Sequence, residues 1–310
     1  MTLFTDTFLI ALIAGIVAAG VPLLFAGLGE QLSEKAGVLN VGIEGMMLGG
    51  AYLGFYVAWA TESVGLGILG GIMGGMLVSS MMVIFCVRMG LNQIVIGIAL
   101  TLGAEGATAL LHHVKFSRLY PRLPDVTTWR IPFLADIPII GSALFDREPL
   151  VYLAIALVPI LFYIYHRTHF GLALQAAGDK PAALDSAGQN VLAIRSYAVL
   201  GCGALVGLGG AFMSIVGAGV FVPFMTHGNG FMGIVLAMLA RGRPLWVLFG
   251  AVLFGTCLSA ATALQVAGVD IPTDIVQMLP FAAVMLVLLI AGRNAKLPAA
   301  LGASYVRGER

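Results

Sequence analysis

VGLGILGGIMGGMLVSSMMVIFCV, residues 64–87, carries no charged side chain from one end to the other. A run of this kind crosses the hydrocarbon core of a bilayer as a helix, which takes about 17–25 apolar residues. The same texture recurs outward in both directions, at about 7–29, 41–60, 91–112, 149–166, 196–216, 231–240, 245–265 and 275–291. None of these runs alternates apolar and polar residues with the period of two that a membrane barrel requires. In lipid only helices and closed barrels satisfy every backbone group. The fold class is therefore all-α, a polytopic transmembrane helical bundle of about nine membrane segments. The run at 231–240 is too short to cross alone and is expected to be a half-helix.

Composition agrees. The chain is 60% hydrophobic and 10% charged, with 41 glycines and a mean hydropathy of +1.01. Soluble domains carry about 25% charged residues, and a soluble fold of 310 residues could not hide this much apolar surface. A net charge of +1 gives no reason to expect a nucleic-acid partner; the spans themselves imply membrane lipid. Cys86, Cys202 and Cys257 each sit inside an apolar run, as small buried hydrophobes would. Their spacing suggests neither a metal nor a disulfide. No Lys or Arg precedes Lys35, so the basic region of a cleavable signal is missing and the first run is expected to be a retained helix. With no linker or low-complexity tract, residues 1–310 are taken as one transmembrane domain.

Orientation follows from the loop lysines and arginines, which favour the cytoplasmic side. With the C-terminus inside, that side holds Lys35, Arg88, Arg167, Lys180, Arg195, Arg241, Arg243, Arg293, Lys296, Arg307 and Arg310. The outside keeps Lys115, Arg118, Arg122, Arg130 and Arg147, all in the loop 113–148. That loop also carries Asp125, Asp136, Asp146, Glu148 and four prolines, and is expected to fold as an external cap. Segment 167–195 becomes cytoplasmic.

Several polar residues lie in or beside the spans. Residues 30–50 read EQLSEKAGVLNVGIEGMMLGG. Glu30, Ser33, Glu34 and Lys35 suit an interfacial turn, and Asn40 and Glu44 share a face if the region is helical. A carboxylate within a span is expensive and faces a cavity or a partner. Glu44 is thus expected to line a solute path, the alternatives being a place near the membrane surface or a bond to neighbouring backbone. Asn92 and Gln93 open the fourth run, and Glu105 is a second intramembrane acid, with a solute contact and an interhelical hydrogen bond as its two readings. Asn229 precedes the short run 231–240. A half-helix beginning there would point its N-terminal amides at the membrane interior, ready for oxygen-rich groups; the alternative is a plain external loop. The segments 38–51 and 228–240 both place Asn and Gly ahead of a Met-rich run, a faint sign of internal duplication. Asn40, Glu44, Asn92 and Asn229 are the candidate path residues.

THFGLALQAAGDKPAALDSAG, residues 168–188, is a polar, Gly- and Ala-rich insert between two apolar spans. Pro181 fits the first turn of a second short helix at about 181–187, with Asp179 as its N-cap. So many small residues suit a groove on another protein better than an idle loop. No GxxxxGK[ST] is present, so this chain is not itself an ATPase. No GxSxG and no metal-spaced His/Cys cluster appears either, so the chemistry is binding and movement without a cofactor.

LGEQLSEKAGVLNVGIEGMMLGGAY (28–52), together with residues 168–188, resembles the ABC importer permeases of the branched-chain amino acid and simple-sugar superfamily. The pattern SEKAGVLNVGIEGMM (33–47) is similar to its nucleoside and simple-sugar permeases. The resemblance covers about residues 20–292. It implies a multi-pass protein of the inner membrane, working with cytoplasmic ABC ATPase subunits, a second permease (identical or a paralogue) and an external solute-binding protein. Gly178, Asp179, Ala182, Ala183 and Gly188 match the coupling motif on which the ATPase docks. Gly37, Asn40, Gly42, Glu44 and Gly45 match the first signature. Gln175 stands where the coupling motif usually has Arg, and Gly228-Asn229-Gly230-Phe231 where the family usually has Gly-Arg-Gly-Phe. The resemblance implies ATP-driven import of a nucleoside or related small polar solute by alternating access. A simple-sugar importer and a proton-coupled transporter using Glu44 and Glu105 are the alternatives.

Overall fold

The computed structural model describes residues 6–138, 140–266 and 297–306, with isolated positions between 278 and 289. The expected segment 275–291 lies largely outside the described residues. In chain order the helices are α1 (Asp6–Lys35), α2 (Ile43–Thr61), α3 (Val64–Met82), α4 (Gln93–Phe116), α5 (Ile140–Leu144), α6 (Pro149–Arg167), α7 (His169–Asp179), α8 (Pro181–Ser186), α9 (Val191–Ala211), α10 (Asn229–Ala240) and α11 (Pro244–Val266). α3 and α9 each end in a π-helical turn, Val83–Arg88 and Phe212–Gly217. A two-residue hairpin pairs β1 (Trp129–Arg130) with β2 (Asp146–Arg147).

Five of these helices are long and apolar enough to cross a membrane: α1 from Phe8, α3 and α9 with their π turns, α4 and α6. α2 lies inside the bundle, packed by α3, α4, α9 and α10. Its buried side is covered by protein, which lets it carry Glu44 and Tyr52. Close approach of the central helices rests on glycine. A Cβ at Gly207 of α9 would sit 3.1 Å from the Cα of Gly75 on α3, and one at Gly50 of α2 would collide with Gly207 itself. Without side chains in the way, backbones touch and dispersion holds the helices together where lipid offers no hydrophobic drive.

The structure corrects the expected course of the chain at three places. α1 does not stop near Gly29. It runs through the polar patch to Lys35, with Glu30, Gln31 and Ser33 fully buried; the patch is covered by protein, so no interfacial turn is needed. The turn comes at 36–42 and climbs back beside α1, where the Asn40 amide donates to Glu30 Oε1 at 3.1 Å. Asn40 and Glu44 therefore do not share a helix face, since α2 begins only at Ile43. The insert closes earlier than 195: Asn190 Oδ1 accepts from the Ala193 amide, caps α9, and leaves Arg195 inside that helix.

The expected half-helix is present. α10 has 12 residues, about 18 Å at 1.5 Å per residue, or roughly half of a hydrocarbon core. It runs alongside the second half of α1: a Cβ at Gly233 would touch Ala26, and one at Gly242 would lie 2.8 Å from Lys35 Nζ. Lys35, Gly37, α7, Gly242 and residues 300–303 gather at one end of the bundle. Toward the other end, residues 117–148 fold as the hairpin around α5, and the Leu123 amide donates to Gly219 O at 2.8 Å.

Candidate functional site

Two regions hold the residues singled out in the sequence. The first lies at mid-depth. α10 starts inside the bundle, where its first amides have no water to meet. Glu44, in the first turn of α2, supplies both acceptors: Gly228 N donates to Oε1 at 2.8 Å and Gly230 N donates to Oε2 at 2.7 Å. The carboxylate is 2% exposed. An anion at a helix N-terminus is also favoured by the helix dipole. The oxygen-rich group at the start of the half-helix is thus the chain's own side chain, in the backbone-bonded arrangement that was the alternative reading of Glu44. Asn40 is likewise enclosed, its Nδ2 donating to Met46 Sδ at 3.2 Å and Cys202 Sγ at 3.3 Å. Gly42 and Gly45 bring α2 against α4, a Cβ at Gly45 lying 3.0 Å from Leu100 O and from Thr101 Cα. The residues matching the first signature therefore build a re-entrant turn and a helix-to-helix cap.

Asn92 is exposed at the end of α4, where its Oδ1 accepts from Ile94 N and Val95 N at 3.0 and 3.1 Å. It caps the helix. Asn229 is half-buried in the first turn of α10. The sequence reading missed its setting: the loop 218–228 leading to it turns through positive φ at Gly219, Phe224, His227 and Gly228. A cavity of about 370 Å³ lies among α2, α3 and α4, lined by Gly49, Leu53, Leu77, Val78, Ala104 and Leu111 among others. Its walls are apolar and suit acyl chains better than a polar solute. Among the described residues no group of three or more His, Cys, Asp or Glu could hold a metal ion.

The second region is the insert. Thr168 caps α7 by accepting from Gly171 N at 3.1 Å. α8 starts with Pro181 at its first turn, as expected. Asp179, however, is the last residue of α7, and the N-cap position of α8 is Lys180, without a side-chain bond. Gly178 is buried where α7 crosses the end of α1, with Gly37 N 3.1 Å from where its Cβ would be. Asp179, Ala182, Ala183 and Gly188 are exposed. Gln175 turns inward, donating from Nε2 to Tyr165 O at 3.0 Å. Arg195, 2% exposed, donates to Ala177 O at 3.1 Å and to Ala303 O at 2.7 Å. The Ala300 amide reaches Gly178 O at 2.8 Å. This clasp of α7, α9 and the C-terminal segment joins residues too far apart in sequence to be read from it.

A bundle of membrane helices with a half-helix at its centre, and a short helix pair fastened across one end, is the architecture of a membrane permease. Residues 12–289 match the family described as branched-chain amino acid transport system / permease component, and the chain belongs to that family. It is 30% identical over 308 residues to the nucleoside ABC transporter permease NupC of Lactococcus lactis subsp. cremoris, covering 96% of this chain and 97% of that one. To the guanosine ABC transporter permease NupQ of Bacillus subtilis it is 31% identical, covering 93% and 94%. To TsgC13 of Haloferax volcanii, whose name assigns it to glucose ABC transport, it is 36% identical, covering 80% and 76%. Each of these organisms also has a second, more distant permease similar to this chain, at 25%, 24% and 24% identity. No solved structure matches. The chain is a multi-pass inner-membrane permease subunit of an ABC importer, a transport component whose ATP is hydrolysed by separate subunits. That membership displaces the proton-coupled alternative.

Proposed function

We propose that this permease carries a nucleoside, or a related small polar solute, inward across the membrane as one of two permeases above a pair of cytoplasmic ABC ATPases, with solute delivered by an external binding protein. A simple sugar is the second reading, favoured by the similarity to TsgC13. The observation that carries the transport scheme is the placement of α7 and α8. Their small exposed residues Asp179, Ala182, Ala183 and Gly188 form a docking face, while buried Gly178 ties that face to α1. Motion of the ATPases would therefore reach α1 and, through the parallel α10, the middle of the bilayer. ATP binding drives this only by favouring one access state over the other through differential contacts.

Among the four path candidates, Asn229 keeps a half-exposed side chain inside the bundle. Glu44 acts in this scheme by holding the half-helix that bears it, Asn40 by fixing the turn between α1 and α2, and Asn92 by capping α4. Residues 117–148 form the face offered to the binding protein. The test is reconstitution of the permease pair with its ATPase and binding protein in proteoliposomes, with guanosine, uridine and glucose compared. ATP-dependent nucleoside uptake supports the first reading, and ATP-dependent glucose uptake alone the second. Uptake that persists without ATP and collapses with an uncoupler overturns both.

A further inference from the structure

α4 meets α2 and the turn before it near both of its ends. Toward its start, a Cβ at Gly97 would lie 2.7 Å from Val41 Cβ, and one at Gly45 would lie 3.0 Å from Thr101 Cα. At its finish, Phe116 packs edge-on against Phe55 and Trp59, with ring centroids 5.9 and 4.9 Å apart. Between these contacts, one flank of α4 faces the apolar cavity of about 370 Å³ that it shares with α2 and α3. The lining runs from Ala99 to Leu111 on α4, about 18 Å at 1.5 Å per residue. One leaflet of the hydrocarbon core is about 15 Å deep. Leu77, Met81, Ala107 and Leu111 are exposed members of the wall, so the cavity opens toward the membrane. Thr108 also lines it, but its hydroxyl is already bonded to Ala104 O at 2.7 Å. A void of this size leaves its walls without dispersion partners unless something fills it. A transmembrane helix about 10 Å across would need roughly four times the volume over the same length. A single hydrocarbon chain needs far less.

One end of the cavity is closed by a basic and aromatic group. One turn beyond Leu111 on α4 comes Lys115, and one turn beyond Tyr52 on α2 comes Tyr56. Lys115 Nζ lies 5.9 Å from the centre of the Tyr56 ring and 5.6 Å from that of Trp59, bridging the two helices past the lining. Lys115 is exposed, and among the described residues it has no carboxylate partner. Trp59 is 38% exposed and carries an indole N–H donor. Lysines that snorkel and tryptophan and tyrosine rings belong at the depth of lipid headgroups.

We propose that this cavity is a site for one anionic phospholipid, with an acyl chain held among α2, α3 and α4 and the phosphate at Lys115 beside Trp59. The length of the cavity matches a chain that descends through one leaflet, and the lysine stands where that chain's headgroup emerges. A lysine engages phosphate as a point charge. A zwitterionic headgroup brings a cation of its own toward Lys115, so phosphatidylglycerol is favoured over phosphatidylcholine. The bound chain fills the flank that α4 leaves open between its two contacts with α2, and so holds α4 in place.

The test uses the full-length chain, purified with its partner subunits in a mild detergent. It is titrated with phosphatidylglycerol or phosphatidylcholine of equal chain length, and bound lipid is counted by native mass spectrometry. Gly103 lines the cavity and has nothing within 4 Å of where its Cβ would stand, so Gly103→Phe fills the space without displacing a neighbour. Ala107→Phe is the second filler, and Ile160→Phe, at an exposed position of α6, is the control. Each filler is expected to lose one bound phosphatidylglycerol per chain, while the control keeps it. Wild type should hold that lipid about fivefold more tightly than phosphatidylcholine, the effect of one lysine beside an anionic headgroup, and Lys115→Gln should erase the difference. Thermal unfolding without added lipid identifies the variants that are folded. Folded fillers that retain the full lipid count overturn the site. Equal affinity of wild type for the two lipids, or an unchanged preference in Lys115→Gln, overturns the headgroup assignment and with it the anionic ligand. Fillers that keep their lipid but release a second permease in size-exclusion chromatography assign this flank to a protein neighbour and overturn the proposal as well.

Discussion

Glu44 holds two amide hydrogens that would otherwise stand unpaired in the middle of a membrane. Hydrogen bonds to a charged group contribute about 1.5–3 kcal/mol each, and a buried orphaned donor costs a similar amount. Glu44→Ala is therefore expected to lower stability by about 3 kcal/mol or more, and to abolish uptake by releasing the start of α10. Glu44→Gln keeps one acceptor, so its loss should be roughly half as large; thermal unfolding in nanodiscs measures both. Equal stability in Glu44→Ala and wild type would remove the cap from the mechanism. That Glu44 matters was legible from a lone acid in an apolar run. What it bonds was not, because Gly228 and Gly230 are more than 180 positions away.

At the scale of elements, α7 and α8 separate into an inner seam and an outer face. Ala182 and Ala183 point outward, so Ala182→Asp and Ala183→Asp are expected to leave thermal unfolding unchanged while reducing the ATPase retained in size-exclusion chromatography by about tenfold, a shift of about 1.4 kcal/mol. Gly178→Val has the opposite signature. Its side chain would strike Lys35 O and Gly37 N, and overpacking at a tight contact costs about 1–3 kcal/mol. The variant should unfold at a lower temperature and lose ATP-coupled uptake. The helix pair itself was visible in the sequence, through Pro181 and the small residues around it. Its inner seam was not, because burial of Gly178 depends on where the end of α1 lies, and that helix ran six residues past the expected stop.

Across the whole molecule, the end that bears α7 and α8 is fastened by a segment from the far end of the chain. Arg195 joins Ala177 to Ala303, and backbone bonds join Ala300 to Gly178 and Gly302 to Gly37. Deleting residues 297–310 should raise amide exchange in 168–188, since local opening follows the loss of such contacts. Uptake should fall while α2, α3 and α9 stay protected, and unchanged exchange in 168–188 would show that the clasp carries no load. Membrane residence, helical class, most spans, the half-helix and the short helix pair were determined by the sequence alone. Each is a local property: the bilayer reads hydrophobic length directly, and Pro and Gly act on the backbone where they stand. Which acid caps a helix, which glycine lies in a seam and which asparagine stays half-open were decided by tertiary structure. A polar side chain in a membrane takes its role from the partner that desolvates it, and in this protein those partners come from distant parts of the chain.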